Sequence, residues 1–210
     1  QQYERVIPFL LDSTMPWVDR TMVAATFSAV VQNPKEFSLP YLFNLCSRLE
    51  KDPDPRIRIL IFIKIGWFRA EFFDRFLLSK SSSPDEAVRM GCVIAMHNQR
   101  NPRFLKRLEE MLSDREEKIR NMAAAALVYV TGANDMRELS SLHERFMQCE
   151  ADEIKKGASF GYARLVYNEV RYPDETNEKR WDFAILYDRF IQNMLARVLH
   201  LPWDSPQSDD

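Results

Sequence analysis

Five segments of the chain share one pattern, and this internal repeat limits the possible folds more than any other feature. Each segment has a polar turn, then an apolar residue, a charged residue and an apolar run rich in small side chains. The apolar residues that anchor the pattern are 39, 31, 31 and 35 residues apart: Val18, Ile57, Val88, Ile119 and Ile154. Because a unit of this size cannot bury its apolar face alone, the repeat predicts a stack of similar units.

The second half of each copy predicts an amphipathic helix. In the fourth copy, the apolar residues from Ile119 to Val130 recur with the period of one helix face. The segments between copies, such as NPRFLKRLEEMLSD, supply a first helix of the same kind. No segment alternates apolar and polar residues, so the sequence predicts an all-α chain. Four polar residues lie five positions before an anchor and are predicted N-caps: Ser13, Asp52, Ser83 and Asp114.

The motifs LEKDPDPRIR, LSDREEKIR and SSSPDEAVRMGCVIA resemble HEAT repeats, the family of paired-helix solenoids. The resemblance covers roughly residues 3–172 and implies an α-solenoid of about five helical hairpins. We therefore expect a HEAT-like array at 1–172, a C-terminal capping helix at 173–203 and an acidic, disordered tail at 204–210. The array implies a non-catalytic scaffold or adaptor that binds a protein or peptide partner.

Composition narrows the function further. The net charge of −2 gives no general attraction to nucleic acid. Cys46, Cys92 and Cys149 are too far apart for a disulfide framework or a zinc site, which favours a cytoplasmic protein without a metal. No apolar stretch is long enough to span a membrane, and no motif indicates a catalytic residue or a cofactor. The start at Gln1 is typical of a piece of a longer protein.

The second helices supply the predicted partner-binding residues. Charged residues follow the anchors at equal spacing, so Arg58, Arg89 and Arg120 are candidate polar contacts. In HEAT-like arrays such an Arg also bonds the turn Asp of an adjacent layer, and this structural role is the alternative. The predicted apolar contacts lie off the main stripe, and the alternative is that the stack buries them: Ile59, Met90, Val128 and Phe160.

Two other functions remain open from the resemblance. HEAT-like DNA glycosylases of the AlkD type have similar length and use Trp, Asp and Arg around a lesion. That function would place Arg58 and Arg89 on phosphates, and its other candidate residues are Trp17, Trp67, Asp19 and Asp74. The short repeat is also similar to that of phycobilin-lyase-like chaperones, although no bilin-handling residue is evident.

Overall fold

The computed structural model describes residues 7–21, 23, 39–66, 71–132 and 135–171. Within these ranges every regular element is helical. Residues 17–21 are helical, and a 3-10 turn at Pro102–Phe104 leads into α6. The other helices are α1 (Ile7–Leu11), α2 (Leu39–Leu49), α3 (Pro55–Ile65), α4 (Glu71–Lys80), α5 (Glu86–Gln99), α6 (Leu105–Met111), α7 (Glu117–Gly132), α8 (Met136–Gln148) and α9 (Asp152–Arg171).

The helices pair into successive hairpins, and the hairpins stack. We call α2, α4, α6 and α8 the first helices, and α3, α5, α7 and α9 the second helices. Each of α3, α5 and α7 packs against its own first helix, and α5 packs against both α3 and α7. This arrangement is an α-solenoid, so the predicted all-α fold is confirmed.

Contacts between Cα atoms divide the chain into residues 1–165 and residues 166–210. The stacked hairpins belong to the first unit up to residue 165 of α9, and the structure describes only 166–171 of the second, which are the end of that helix. The predicted capping helix at 173–203 and the predicted tail at 204–210 lie outside the described residues.

The turn between the two helices of a hairpin has the same construction in three repeats. The side chains of Asp52, Ser83 and Asp114 accept a hydrogen bond from the backbone N–H two residues later. The N-caps of α3 and α5 are instead Asp54 and Asp85, whose carboxylates accept N–H groups of the first helical turn. The predicted N-cap role of Asp52 and Ser83 is therefore wrong by two residues, because these side chains close the turn ahead of the cap.

The anchor residues of the last four copies are in the core. Ile57, Val88, Ile119 and Ile154 are all buried. Val18 is exposed, so its predicted role as an anchor is wrong. In the first copy the buried side chains are instead those of Arg20 and Thr21.

The second helices are buried on more than the predicted face. Every residue of α7 from Met122 to Thr131 is buried, as is nearly every residue of α5. The physical reason is the stack itself, because α7 has α5, α6 and α8 around it. The spacing of apolar residues predicts the helix face that meets the first helix, but it does not show that neighbouring repeats cover the other faces.

Small residues set the spacing between second helices. A Cβ added to Gly91 would lie 2.8 Å from the Cβ of Phe62 and 3.0 Å from the carbonyl oxygen of Ile59. A Cβ added to Gly161 would lie 2.6 Å from the carbonyl oxygen of Ala125. The α3–α5 and α7–α9 contacts are therefore close enough to exclude any side chain at these positions.

We expect Gly161→Ala to destabilise the array by about 2 kcal/mol, because the added methyl group meets backbone that must shift. The measurement is the free energy of unfolding in urea. Ser159→Ala is the matched control, since Ser159 lies on the exposed side of the same helix and should change stability by less than about 0.5 kcal/mol. Equal effects of the two substitutions would contradict the close packing of α9 on α7.

Candidate functional site

The predicted arginines first bind the turn that precedes their own helix. In each case Nη1 donates to the carbonyl oxygens five and six residues earlier in the chain. These bonds satisfy carbonyl groups that the helix itself does not use. The pairs are Arg58 with Pro53 (3.1 Å) and Asp52, Arg89 with Pro84 and Ser83 (both 3.0 Å), and Arg120 with Arg115 (3.1 Å) and Asp114 (2.9 Å).

The same guanidinium groups also reach a carboxylate of the next repeat. We call each such Arg, with its two carbonyl groups and its carboxylate, a clamp. Because one planar group holds both its own turn and the next hairpin, the clamps fix the register between repeats. The ion pairs are Arg58 Nε to Asp85 Oδ2 (3.1 Å), Arg89 Nε to Asp114 Oδ2 (2.8 Å) and Arg120 Nη2 to Glu153 Oε1 (2.7 Å).

The first and last copies differ from this pattern in informative ways. In the first copy Arg20 provides the clamp: its Nε donates to the Leu10 carbonyl at 2.9 Å, and its Nη1 donates to Asp52 Oδ1 at 3.0 Å. In the last copy Lys155 lies at the Arg position and is 3.9 Å from Asp152 of its own helix. Arg20 thus takes the place of the clamp Arg in the first copy, although it binds one carbonyl group of α1 instead of two carbonyl groups of its own turn.

The clamp between α5 and the turn before α7 is the most buried of the three predicted ones. The side chains of Arg89 and Asp114 are only 7% and 9% exposed. Burial acts to raise the pKa of the Asp114 carboxyl, but the hydrogen bonds from Arg89 and from the Glu116 N–H outweigh it and hold that pKa below its usual value. Asp114 is therefore held in its charged form by the clamp.

Three of the four predicted apolar contact residues lie in the interior of the stack. Ile59, Met90 and Val128 are buried, and the Val128 side chain on α7 lies against Gly161 of α9. The idea that they line an open groove needs correction, because neighbouring second helices cover them. Phe160 is half-buried on α9.

The residues named for a glycosylase-like site have different partners. Trp17 has the Arg56 guanidinium 4.3 Å from its ring centroid, and Asp74 Oδ2 accepts a hydrogen bond from Asn101 Nδ2 at 2.8 Å. Burial raises the pKa of the Asp74 carboxyl. Arg58 and Arg89 are in clamps, Asp19 is exposed, and Trp67 lies outside the described residues.

An aromatic patch on the first helices was not predicted. Phe43 on α2 and Phe72 on α4 are 37% and 44% exposed, and their ring centroids are 5.3 Å apart in edge-to-face contact. Beneath them Phe43 also meets Phe76 at 5.3 Å, and Phe72 meets Phe73 at 5.5 Å. The adjacent pair Phe72-Phe73 was a signal in the sequence, since neighbouring residues of a helix point in different directions and are both buried only where the helix is covered on several sides.

The repeated hairpins and their clamps define the class of protein as a helical-repeat solenoid. Residues 42–128, which run from α2 to α7, match the family model of HEAT repeats, so this part of the chain is a HEAT-repeat array and the predicted family is confirmed. HEAT repeats generally mediate protein–protein interactions and are typically non-catalytic. No curated protein and no solved structure matches the chain.

Two further observations concern the described residues only. None of their helices is long and apolar enough to cross a membrane. Within the same ranges, no three side chains of metal-binding type come together.

We expect Arg89→Met to destabilise the array by about 3 kcal/mol, because it leaves the buried Asp114 carboxylate without its partner. The control is Arg75→Ala, which removes the exposed pair with Glu71 and should cost less than about 0.5 kcal/mol. Urea unfolding of both variants measures the difference. A small effect at Arg89 would mean that the clamps do not stabilise the stack.

Acid should remove the contribution of the Asp114 clamp. The pKa of Asp114 is lower in the folded state than its usual 3.8, so this contribution is complete above that pH and is lost as pH falls through the folded pKa. In Asp114→Asn the free energy of unfolding should therefore start lower and fall less steeply below about pH 4. Urea unfolding at a series of pH values measures both curves, and parallel curves would contradict the prediction.

Proposed function

We propose that this array is a non-catalytic scaffold or adaptor whose partner is another protein. The observation that carries the proposal is the set of clamps from Arg20 to Arg120, which joins successive HEAT hairpins by buried or half-buried ion pairs. A surface built on such a frame is already ordered before it meets a partner. Binding therefore costs the array little conformational entropy, which is what a protein-binding scaffold needs.

The clamps also change how a partner site on the second helices would work. Arg58, Arg89 and Arg120 could bind an acidic partner group only by sharing or leaving their carboxylates. Removing a partner from a buried ion pair costs several kcal/mol. This favours a structural role for the three arginines and places the partner on other surfaces.

The three free cysteines support the predicted cytoplasmic location.

The experiment that tests the function is capture followed by reconstitution. The full chain is used as bait in a nuclease-treated lysate, and each captured protein is then purified and mixed with the chain alone. We expect at least one defined protein complex, with an affinity that is measurable in isolation. Capture of nucleic acid only, when nuclease is left out, together with salt-sensitive binding of duplex DNA, would contradict the proposal and favour the glycosylase-like alternative.

A further inference from the structure

The turn before α5 differs from the corresponding turns of its neighbours in one important residue. Asp52 and Asp114 lie six residues before a clamp Arg and close their turns with a carboxylate, whereas the same position before α5 is Ser83. The Ser83 hydroxyl accepts the Asp85 N–H at 3.2 Å, much as the two carboxylates accept their N–H groups at 3.0 Å. Ser83 therefore keeps the shape of the turn without its negative charge.

The missing charge matters because the turn carboxylate binds the Arg of the preceding repeat. Asp52 accepts Nη1 of Arg20 at 3.0 Å on the oxygen that also closes the turn, and its other oxygen pairs with Nη2. Asp114 likewise accepts Nε and Nη2 of Arg89 at 2.8 and 3.0 Å. Each of these carboxylates thus takes two N–H groups of one guanidinium.

Arg58 is the corresponding Arg at the turn of Ser83, and it has no such acceptor. Its Nη1 holds the carbonyl groups of its own turn, and its Nε lies 3.1 Å from Asp85 Oδ2. The Nε–H is nevertheless buried and makes no hydrogen bond within the described residues, whereas Arg89 and Arg120 both donate from Nε to their carboxylates. The clamp between α3 and α5 therefore still has a buried donor to satisfy, which is unfavourable for its stability.

The turn of Ser83 is also open to an enzyme. Ser82 and Pro84, on either side, are exposed, and Ser83 itself is half-buried. Ser81 differs from them, because it is fully buried. A short segment around Ser83 can therefore be reached from solvent without unfolding of the helices beside it.

The charged groups at this turn leave Arg58 as the partner for an added anion. Six charged side chains belong to residues 83–86 or contact them through a side-chain hydrogen bond or ion pair: Arg58, Arg89, Arg115, Lys118, Asp85 and Glu86. Glu86 pairs with Lys118, and Arg89 pairs with Asp114. Asp85 has a second role, since its carboxylate also caps α5. An anion at Ser83 would thus bind a particular guanidinium and needs no general excess of positive charge.

We propose that Ser83 is a phosphorylation site whose phosphate is held by Arg58 and locks the joint between α3 and α5. A protein kinase transfers the γ-phosphoryl group of a nucleoside triphosphate to the Ser83 hydroxyl oxygen. The new O–P bond forms as the bond to the nucleoside diphosphate breaks, and the hydroxyl proton passes to a base of the kinase. This modification would regulate the array itself and goes beyond the scaffold function.

The phosphate takes the place that the carboxylate has at Asp52 and Asp114. Its oxygens accept the Nε–H and Nη2–H groups of Arg58, so that the buried donor gains an acceptor. The Asp85 carboxylate stays at the start of α5, where it continues to accept N–H groups of the first turn. The phosphorylated turn therefore has the bonding of its two neighbours, with a stronger anion.

The first experiment asks whether the site accepts phosphate. The full chain is incubated with ATP and phosphatase inhibitors in a lysate, purified again and mapped by mass spectrometry. We expect phosphate on Ser83 in the native chain and none at this turn in Ser83→Ala. Ser82→Ala is the matched control, since Ser82 is the exposed neighbour, and Ser83 should be modified in it as in the native chain. Absence of phosphate from Ser83, or phosphate on Ser82 alone, would overturn the proposal.

The second experiment tests the role of Arg58. Phosphoserine is incorporated at position 83 of the full chain during translation, and urea unfolding is compared with that of the unmodified chain. We expect the folding equilibrium constant to rise about tenfold, because the phosphate makes charge-assisted hydrogen bonds to a buried group. Phosphoserine at position 82 should change it less than about twofold. In Arg58→Gln the phosphate at 83 should give no gain, and a gain that persists would contradict the assignment to Arg58.

Two further measurements do not depend on the stability of Arg58→Gln. Ser83→Asp supplies the residue type found at 52 and 114 and should raise the folding equilibrium constant about threefold, whereas a decrease would overturn the proposal. In a pH titration followed by phosphorus-31 NMR, the second pKa of the phosphate at 83 should lie below that of a phosphate at 82, because a guanidinium favours the dianion. Equal pKa values at the two positions would mean that no cation holds the phosphate at 83.

Discussion

The arginine clamp is the interaction on which the rest of the array depends, because it connects each hairpin to the next at the turn where the chain reverses. A turn leaves carbonyl groups that no helix uses, and a planar guanidinium can take two of them while its other N–H groups face a carboxylate. Lys cannot make this fork. Lys155 occupies the Arg position of the last copy, and its ion pair is accordingly with Asp152 of its own helix. The clamp therefore connects successive repeats from Arg20 to Glu153.

The clamps and the glycines act at different points along the same second helices. Each clamp fixes the helix near its start, while Gly91 and Gly161 let the helix axes approach farther along. A clamp alone would hold the turns together and leave the helix bodies free to separate. Close packing at Gly91 and Gly161 fixes which residues face each other along the helices, because a side chain at either position would clash with the neighbouring helix, but it does not hold the turns. Both devices are needed for a stack with one defined geometry.

The sequence predicted the fold well because its repeat encodes the local parts of this design. The position of Arg58, Arg89 and Arg120 after a buried anchor, and the turn Asp at 52 and 114, were visible in the spacing. The carboxylates at 85 and 153 were not, since they occupy other positions in their repeats. The burial of Met90 and Val128 could not be predicted from hydrophobic periodicity, because it depends on which faces of a helix the neighbouring repeats cover. The aromatic patch was missed for the converse reason: helix spacing does not show which apolar residues stay uncovered.

A filled interior determines where such an array can meet another protein. With α5 and α7 buried on nearly all sides, their side chains stabilise the stack and are not presented to a partner. Contact energy must then come from side chains that the fold leaves at the surface, and the first helices carry the exposed pair Phe43 and Phe72. Because these rings rest on core aromatic residues, the same packing that stabilises the hairpins also orders the exposed surface.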